Sequence, residues 1–121
     1  MHKYKAKLLN IVDGDTQDFN IDLGFNIHYK IRVRLNGINT PESRTRDLRE
    51  KEVGLQAKKF VTEFLDTKRE IIVETNKSGK YGRYLAEVYV DGNPLTLALK
   101  EAGLARDYNG GKREPWFTET T

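Results

Sequence analysis

Three short fragments carry residue types that could act on a phosphodiester: VDGDT at 12–16, the VRLNGINTPE run at 33–42 and GKYGRYLA at 79–86. Hydrolysis of such an ester passes through a highly charged transition state. Arginine answers that charge best, because its planar fork binds two phosphate oxygens at once. An attacking water needs a carboxylate base, and a hard cation held by oxygen ligands offsets developing charge. Arg34, Arg83, Glu42 and the Asp13/Asp15 pair supply groups of these kinds. Each fragment also has an ordinary explanation. Asp-Gly-Asp is a common turn, Arg34 one more solvated strand arginine, and Tyr81-Gly82-Arg83 a loop with an exposed cation. Glu42 is open to two readings as well. Thr40 suits a helix cap, Pro41 a first helical position, and Glu42 the positive end of a helix dipole. What sets the fragments apart is that they occur together.

The elements around them follow from hydrophobic periodicity. Residues 3–12 read as a first strand, the DG turn follows, and DFNIDL alternates Phe19, Ile21 and Leu23 with polar residues as a second strand. After a turn at 24–26, IHYKIRVRL places Ile27, Tyr29, Ile31, Val33 and Leu35 on one face and His28, Lys30, Arg32 and Arg34 on the other. The period changes at about Val53: Val53, Ala57, Phe60, Val61, Phe64 and Leu65 recur at helical steps, ending near Thr67. EIIVET and YLAEVYV are two further strands separated by a Lys/Gly loop, and Asp91-Gly92 turns the chain into a second helix, PLTLALKEAGLA, stopped by Gly103. Between Glu42 and Val53 lies SRTRDLREKE, which reads as a surface loop with Arg44, Arg46 and Arg49 available to phosphates. The order β1-β2-β3-α1-β4-β5-α2 predicts a β-barrel with helices, a five-stranded Greek-key barrel of the OB type. An SH3-like barrel or an α+β sandwich is the alternative.

Composition narrows the classes. A chain of 121 residues with 37% hydrophobic and 32% charged residues is expected to form one domain, with its core at about 3–105 and a polar tail at 106–121. No apolar run approaches the roughly 18 residues of a membrane span, so no membrane partner is expected. The N-terminus does not read as a secretory signal, which leaves a cytoplasmic protein or a mature secreted form. Cysteine is absent, which excludes a disulfide framework and thiolate metal sites. The net charge of +3 is modest, but Lys30, Arg32 and Arg34 gather on one strand face and suit a polyanion.

DGDT, an arginine eight residues before the glutamate of TPE, and KYGR stand in an order that resembles the staphylococcal nuclease (thermonuclease) family, from about Lys7 to Ala105. The resemblance implies an OB-fold, Ca²⁺-dependent endonuclease of DNA and RNA with little sequence specificity, leaving 3′-phosphate ends. It makes Arg34 and Arg83 the phosphate-binding guanidiniums and Glu42 the residue that orients or deprotonates the attacking water. Asp15, Asn39 and the backbone carbonyl of Thr40 become ligands of one Ca²⁺, with Asp13 as support. Lys80 and Tyr81 match residues that touch a terminal phosphate. Tyr108 is open between an aromatic platform for a base, core packing and simple exposure, while Trp116 with Phe117 is expected to pack the tail onto the barrel. Three departures stand out. Asn39 replaces an aspartate, which implies weak Ca²⁺ binding. The segment between Asp15 and Arg34 is longer, which implies an extended hairpin. The tail lacks a third apolar helix. Single-stranded or frayed duplex substrates and a monomer are the expectation. The alternatives are a nonenzymatic OB-type nucleic-acid-binding module and a barrel with no nucleic-acid role; retention of both arginines and the glutamate favours the enzyme.

Overall fold

The structure, a computed structural model, describes residues 2–66, 69–78, 83–108, 111 and 116, without the side chains of 76–78 and 83. Strands β1 (His2–Asp13), β2 (Thr16–Asp22) and β3 (His28–Leu35) are followed by the two-residue β4 (Ile38–Asn39) and helix α1 (Leu48–Leu65). Then come β5 (Ile71–Ser78), β6 (Arg83–Val90), the short β7 (Asn93–Pro94), helix α2 (Leu95–Glu101) and the short β8 (Arg106–Asp107). The main sheet runs β3-β2-β1-β5-β6-β7, and β3 also pairs with β6, so the five long strands close into an OB-like barrel carrying two helices. Every pairing is antiparallel except the closing one, β3 with β6. The three two-residue strands are additions that periodicity could not reveal, since two residues have no period.

Alternation explains the barrel interior. Phe19, Val33, Leu35, Val73, Ala86 and Val88 are fully buried, each on the inward face of its strand, and α1 and α2 close the barrel with Val61, Leu95 and Leu99. Burying a side chain of this size contributes about 1.5–3 kcal/mol. Irregularities in β1 between Leu8 and Asn10, and between Ile11 and Asp13, let one long strand pair with both β2 and β5. Helix α2 ends as Gly103 (φ 73°) takes a left-handed turn, with Leu104 N–H donating to Leu99 O at 2.9 Å and Gly103 N–H to Lys100 O at 3.0 Å.

Two expectations are corrected. Helix α1 begins at Leu48 rather than near Val53, capped by Asp47, whose carboxylate accepts from the N–H groups of Arg49 and Glu50. The surface loop is therefore shorter, and Arg49 stands in the first helical turn, 3.7 Å from Asp47. The alternation of β3 is real but only its inner half enters the core: Val33 and Leu35 are buried, whereas Ile27 and Tyr29 are more than half exposed. The β2–β3 hairpin pairs from Thr16↔Arg34 out to Asp22↔His28, and the side chains at its far end are largely exposed.

Candidate functional site

The turn after β1 brings Asp15 beneath the end of β3. Leu35 N–H donates to Asp15 O at 2.8 Å, and Gln17 Nε2 to Gly14 O at 2.7 Å, which fixes the turn from both sides. The Asp15 carboxylate is nearly fully buried. One of its oxygens accepts from the Thr16 hydroxyl at 3.0 Å, and the other from the Thr40 backbone N–H at 3.1 Å. That second oxygen lies 3.6 Å from Arg34 Nη2. Arg34 also donates through Nη1 to Leu35 O at 2.9 Å, and its guanidinium lies 5.7 Å from the Tyr108 ring centre. Residues 15, 34 and 40, far apart in the chain, thus meet at one point.

Asn39 lies beside this junction in β4, which pairs with β8 as Asn39↔Arg106. Its side chain is buried at 1% exposure, and neither its amide oxygen nor its amide nitrogen has a hydrogen-bond partner among the described residues. A buried amide left in that state costs about 1–3 kcal/mol. A hard cation would give its oxygen a partner, and the adjacent donors are also oxygens: the Asp15 carboxylate and the Thr40 carbonyl. The residues present therefore fit Ca²⁺ in chemical type, with a single carboxylate among the three.

The segment from Thr40 to Ser43 is pinned by its backbone. Pro41 is buried, and no helix starts there, so Thr40, Pro41 and Glu42 do not form a helix cap. Glu42 N–H donates to Glu50 Oε2 at 2.8 Å, and Ser43 donates to Asp13 Oδ1 through both its N–H, at 3.1 Å, and its hydroxyl. On the other side the helix backbone is in direct contact: a Cβ placed on Gly54 would lie 2.3 Å from Glu42 O. Asp13 thus supports the segment that carries Glu42. Sequence reasoning missed Ser43, Glu50 and Gly54. Two signals were present: the Asp47-x-x-Glu50 spacing of a capping box and a lone glycine inside a helical pattern.

Arg83 begins β6 and pairs in register with Arg32, two steps from Arg34↔Leu85, so the two expected phosphate-binding positions stand on adjacent strands. Its side chain lies outside the described residues, as do Lys80, Tyr81 and Phe117 entirely. Tyr108 is half-buried beside Arg34, with its N–H donating to Gly37 O at 2.9 Å and its hydroxyl to Gly111 O. Trp116 lies beneath Arg106, 4.1 Å from the guanidinium.

A family model described as staphylococcal nuclease homologue matches residues 32–119. An uncharacterized protein of Bacillus anthracis is 35% identical over 101 residues, covering 82% of this chain and 45% of the relative. An uncharacterized protein of Methanocaldococcus jannaschii is 32% identical over 126 residues, covering 87% of this chain and 58% of the relative. The chain thus spans about half the length of these curated relatives. With most of its length matched by the family model and its strands closed into an OB-like barrel, the chain belongs to the staphylococcal nuclease homologue family.

Proposed function

We propose that this chain hydrolyses phosphodiester bonds of DNA and RNA with little sequence preference, and leaves 3′-phosphate ends. The observation that carries the reading is the junction of Asp15, Arg34 and Thr40 beside a buried Asn39 amide that has no partner among the described residues. It joins one guanidinium to an all-oxygen donor set in a nuclease family. Arg34 and Arg83 bind non-bridging phosphate oxygens and hold them more tightly as charge grows in the transition state. Glu42 accepts a proton from the water that attacks phosphorus. The bond from phosphorus to the 5′-oxygen breaks, and the departing 5′-oxygen takes up a proton. Asp15, Asn39 and the Thr40 carbonyl are the residues that would hold Ca²⁺. When bound, that ion supplies positive charge next to the phosphate. Lys80 and Tyr81 would contact the terminal phosphate.

The rigid hold on residues 40–43 supports this assignment of Glu42. A base must keep its position while substrates come and go, and here the backbone on either side is fixed by Asp13, Asp15 and Glu50. Incubation with single-stranded DNA and Ca²⁺, against an EDTA control, tests the reading. Fragments with 3′-phosphates that form only with Ca²⁺ are expected. Intact DNA that is nonetheless retained by the protein would make the chain a binding module instead.

A further inference from the structure

The β2–β3 hairpin carries an apolar surface of which the fold engages only Tyr29, through its hydroxyl contact with Tyr84 of β6. Phe19, Ile21 and Val33 are buried on its inner face, yet that face continues outward through Leu23, Ile27 and Tyr29, each about half exposed, and Phe25 at the tip of the reversal between the two faces is 98% exposed. Gly24, Phe25 and Asn26 make the reversal with φ of 82°, 56° and 61°. It is closed by Ile27 N–H donating to Gly24 O and Leu23 N–H to Ile27 O, both at 2.9 Å. Glycine and asparagine accept this left-handed backbone readily, whereas a bulky side chain is strained in it. A turn selected for folding alone would carry Gly, Asn or Asp at position 25. Strain and an exposed apolar ring thus coincide on one residue, and folding gains from neither.

Position and charge identify what the ring would meet. His28, Lys30, Arg32 and Arg34 line the other face of β3, and the row ends at the Asp15 junction. Across the hairpin Asp18 neutralises Arg32 through contacts of 2.7 and 3.1 Å, while Asp22 accepts from Gly24 N–H at 2.8 Å and keeps its charge opposite His28. Lys30 has no ion pair among the described residues. From Arg34 to His28 the strand advances about 20 Å at roughly 3.3 Å per residue. That is a span of several nucleotides, within the footprints of OB-type barrels. A lysine outside any described ion pair, close to an exposed aromatic ring, suits an unpaired strand, whose backbone carries charge and whose bases are free to stack.

We propose that the outer half of this hairpin is an arm that holds single-stranded nucleic acid beyond the cleaved phosphate, with Phe25 stacked on a base and Lys30 near the backbone. The arm deepens the nuclease reading and rests on it for its direction along β3. The test is the affinity of a labelled oligothymidylate of about 12 nucleotides, measured at low salt in EDTA, for the parent, Phe25→Gly and Phe25→Asn. Both substitutions relieve the left-handed strain, so the melting temperature should hold or rise. Affinity should nonetheless fall about tenfold, the scale of one lost stack. Unchanged affinity overturns the arm whatever the cleavage result. A dimer of the parent that dissociates in Phe25→Gly, with no change in oligomer binding, also overturns it and makes the face a contact between copies. Loss of affinity in both variants supports the arm even if the parent cuts no DNA with Ca²⁺, an outcome that would remove the nuclease reading alone.

Discussion

A carboxylate at position 39 would present a full charge to a bound cation, where Asn39 presents only an amide dipole. Two unit charges at about 4 Å are worth roughly 4 kcal/mol at an effective dielectric of 20, before desolvation and repulsion of the Asp15 carboxylate are subtracted. We expect about 1–3 kcal/mol to remain, so Asn39→Asp should tighten Ca²⁺ binding by roughly one to two powers of ten. The same change buries a charge at a site that is 1% exposed. Thermal stability in EDTA should therefore fall, and Ca²⁺ should restore it. Calcium titrations of heat, activity and melting temperature check both halves, and half-saturation at equal or higher Ca²⁺ in the variant contradicts them. Arg34, Arg83, Glu42 and Asp15 are candidates by residue type, because few side chains bind phosphate or cations, whereas Asn39 and Thr40 are candidates only through the family resemblance. Ser43, Glu50 and Gly54 were not legible in the sequence, since they act on the backbone of a segment distant in sequence.

Helix α1 shows why periodicity gives the middle of an element more surely than its start. Its first turn is polar and Leu48 faces solvent, so the apolar stripe begins at Val53, one turn inside the helix. That polar turn nevertheless does positional work: Glu50 reaches back to Glu42 N–H, and Gly54 lets the helix touch Glu42 O. Gly54→Ala gains about 1 kcal/mol of helix propensity. It also sets a methyl against a carbonyl, and the displacement should cost about 1–3 kcal/mol. We expect a lower melting temperature and a cleavage rate reduced more than stability alone requires. A stabilised, fully active variant would show that the contact does not position Glu42. In the hairpin, the hydrogen bond from Arg32 holds the Asp18 carboxyl below its ordinary value of 3.8. Its ionised form favours the folded state, so that contribution is complete above the unfolded value and disappears as pH falls through the folded one. Because Arg32 is about half exposed, the pair is worth under about 1 kcal/mol after screening. Acid melts of Asp18→Asn should differ from the parent by no more than that at neutral pH, and converge with it once acid protonates Asp18 in the folded state.

At the scale of the molecule, closure of β3 onto β6 unites what the chain order keeps apart: it sets position 83 beside 32 and 34, with Asp15 under the strand end. The five long strands and both helices were legible from alternation and helical spacing. The short β4–β8 pair was not, because two residues carry no pattern; yet it is this pair that seats Asn39. Arg44 and Arg46 are exposed, and in the proposed reading they would offer charge to backbone phosphates but no ordered set of base contacts. Single strands and frayed A·T-rich duplex should therefore be cut faster than stable G·C-rich duplex, with affinity that falls as salt rises. Equal rates on all duplex compositions would contradict that mode of access. The most direct measurement is the rate of single-stranded DNA cleavage with Ca²⁺ by the parent and by Arg34→Ala, Glu42→Ala and Arg83→Ala, each checked for fold by its thermal melt. Loss of at least about a hundredfold in every variant is expected for an oriented cation or base; three folded variants nearly as active as the parent would contradict the assignment of this site.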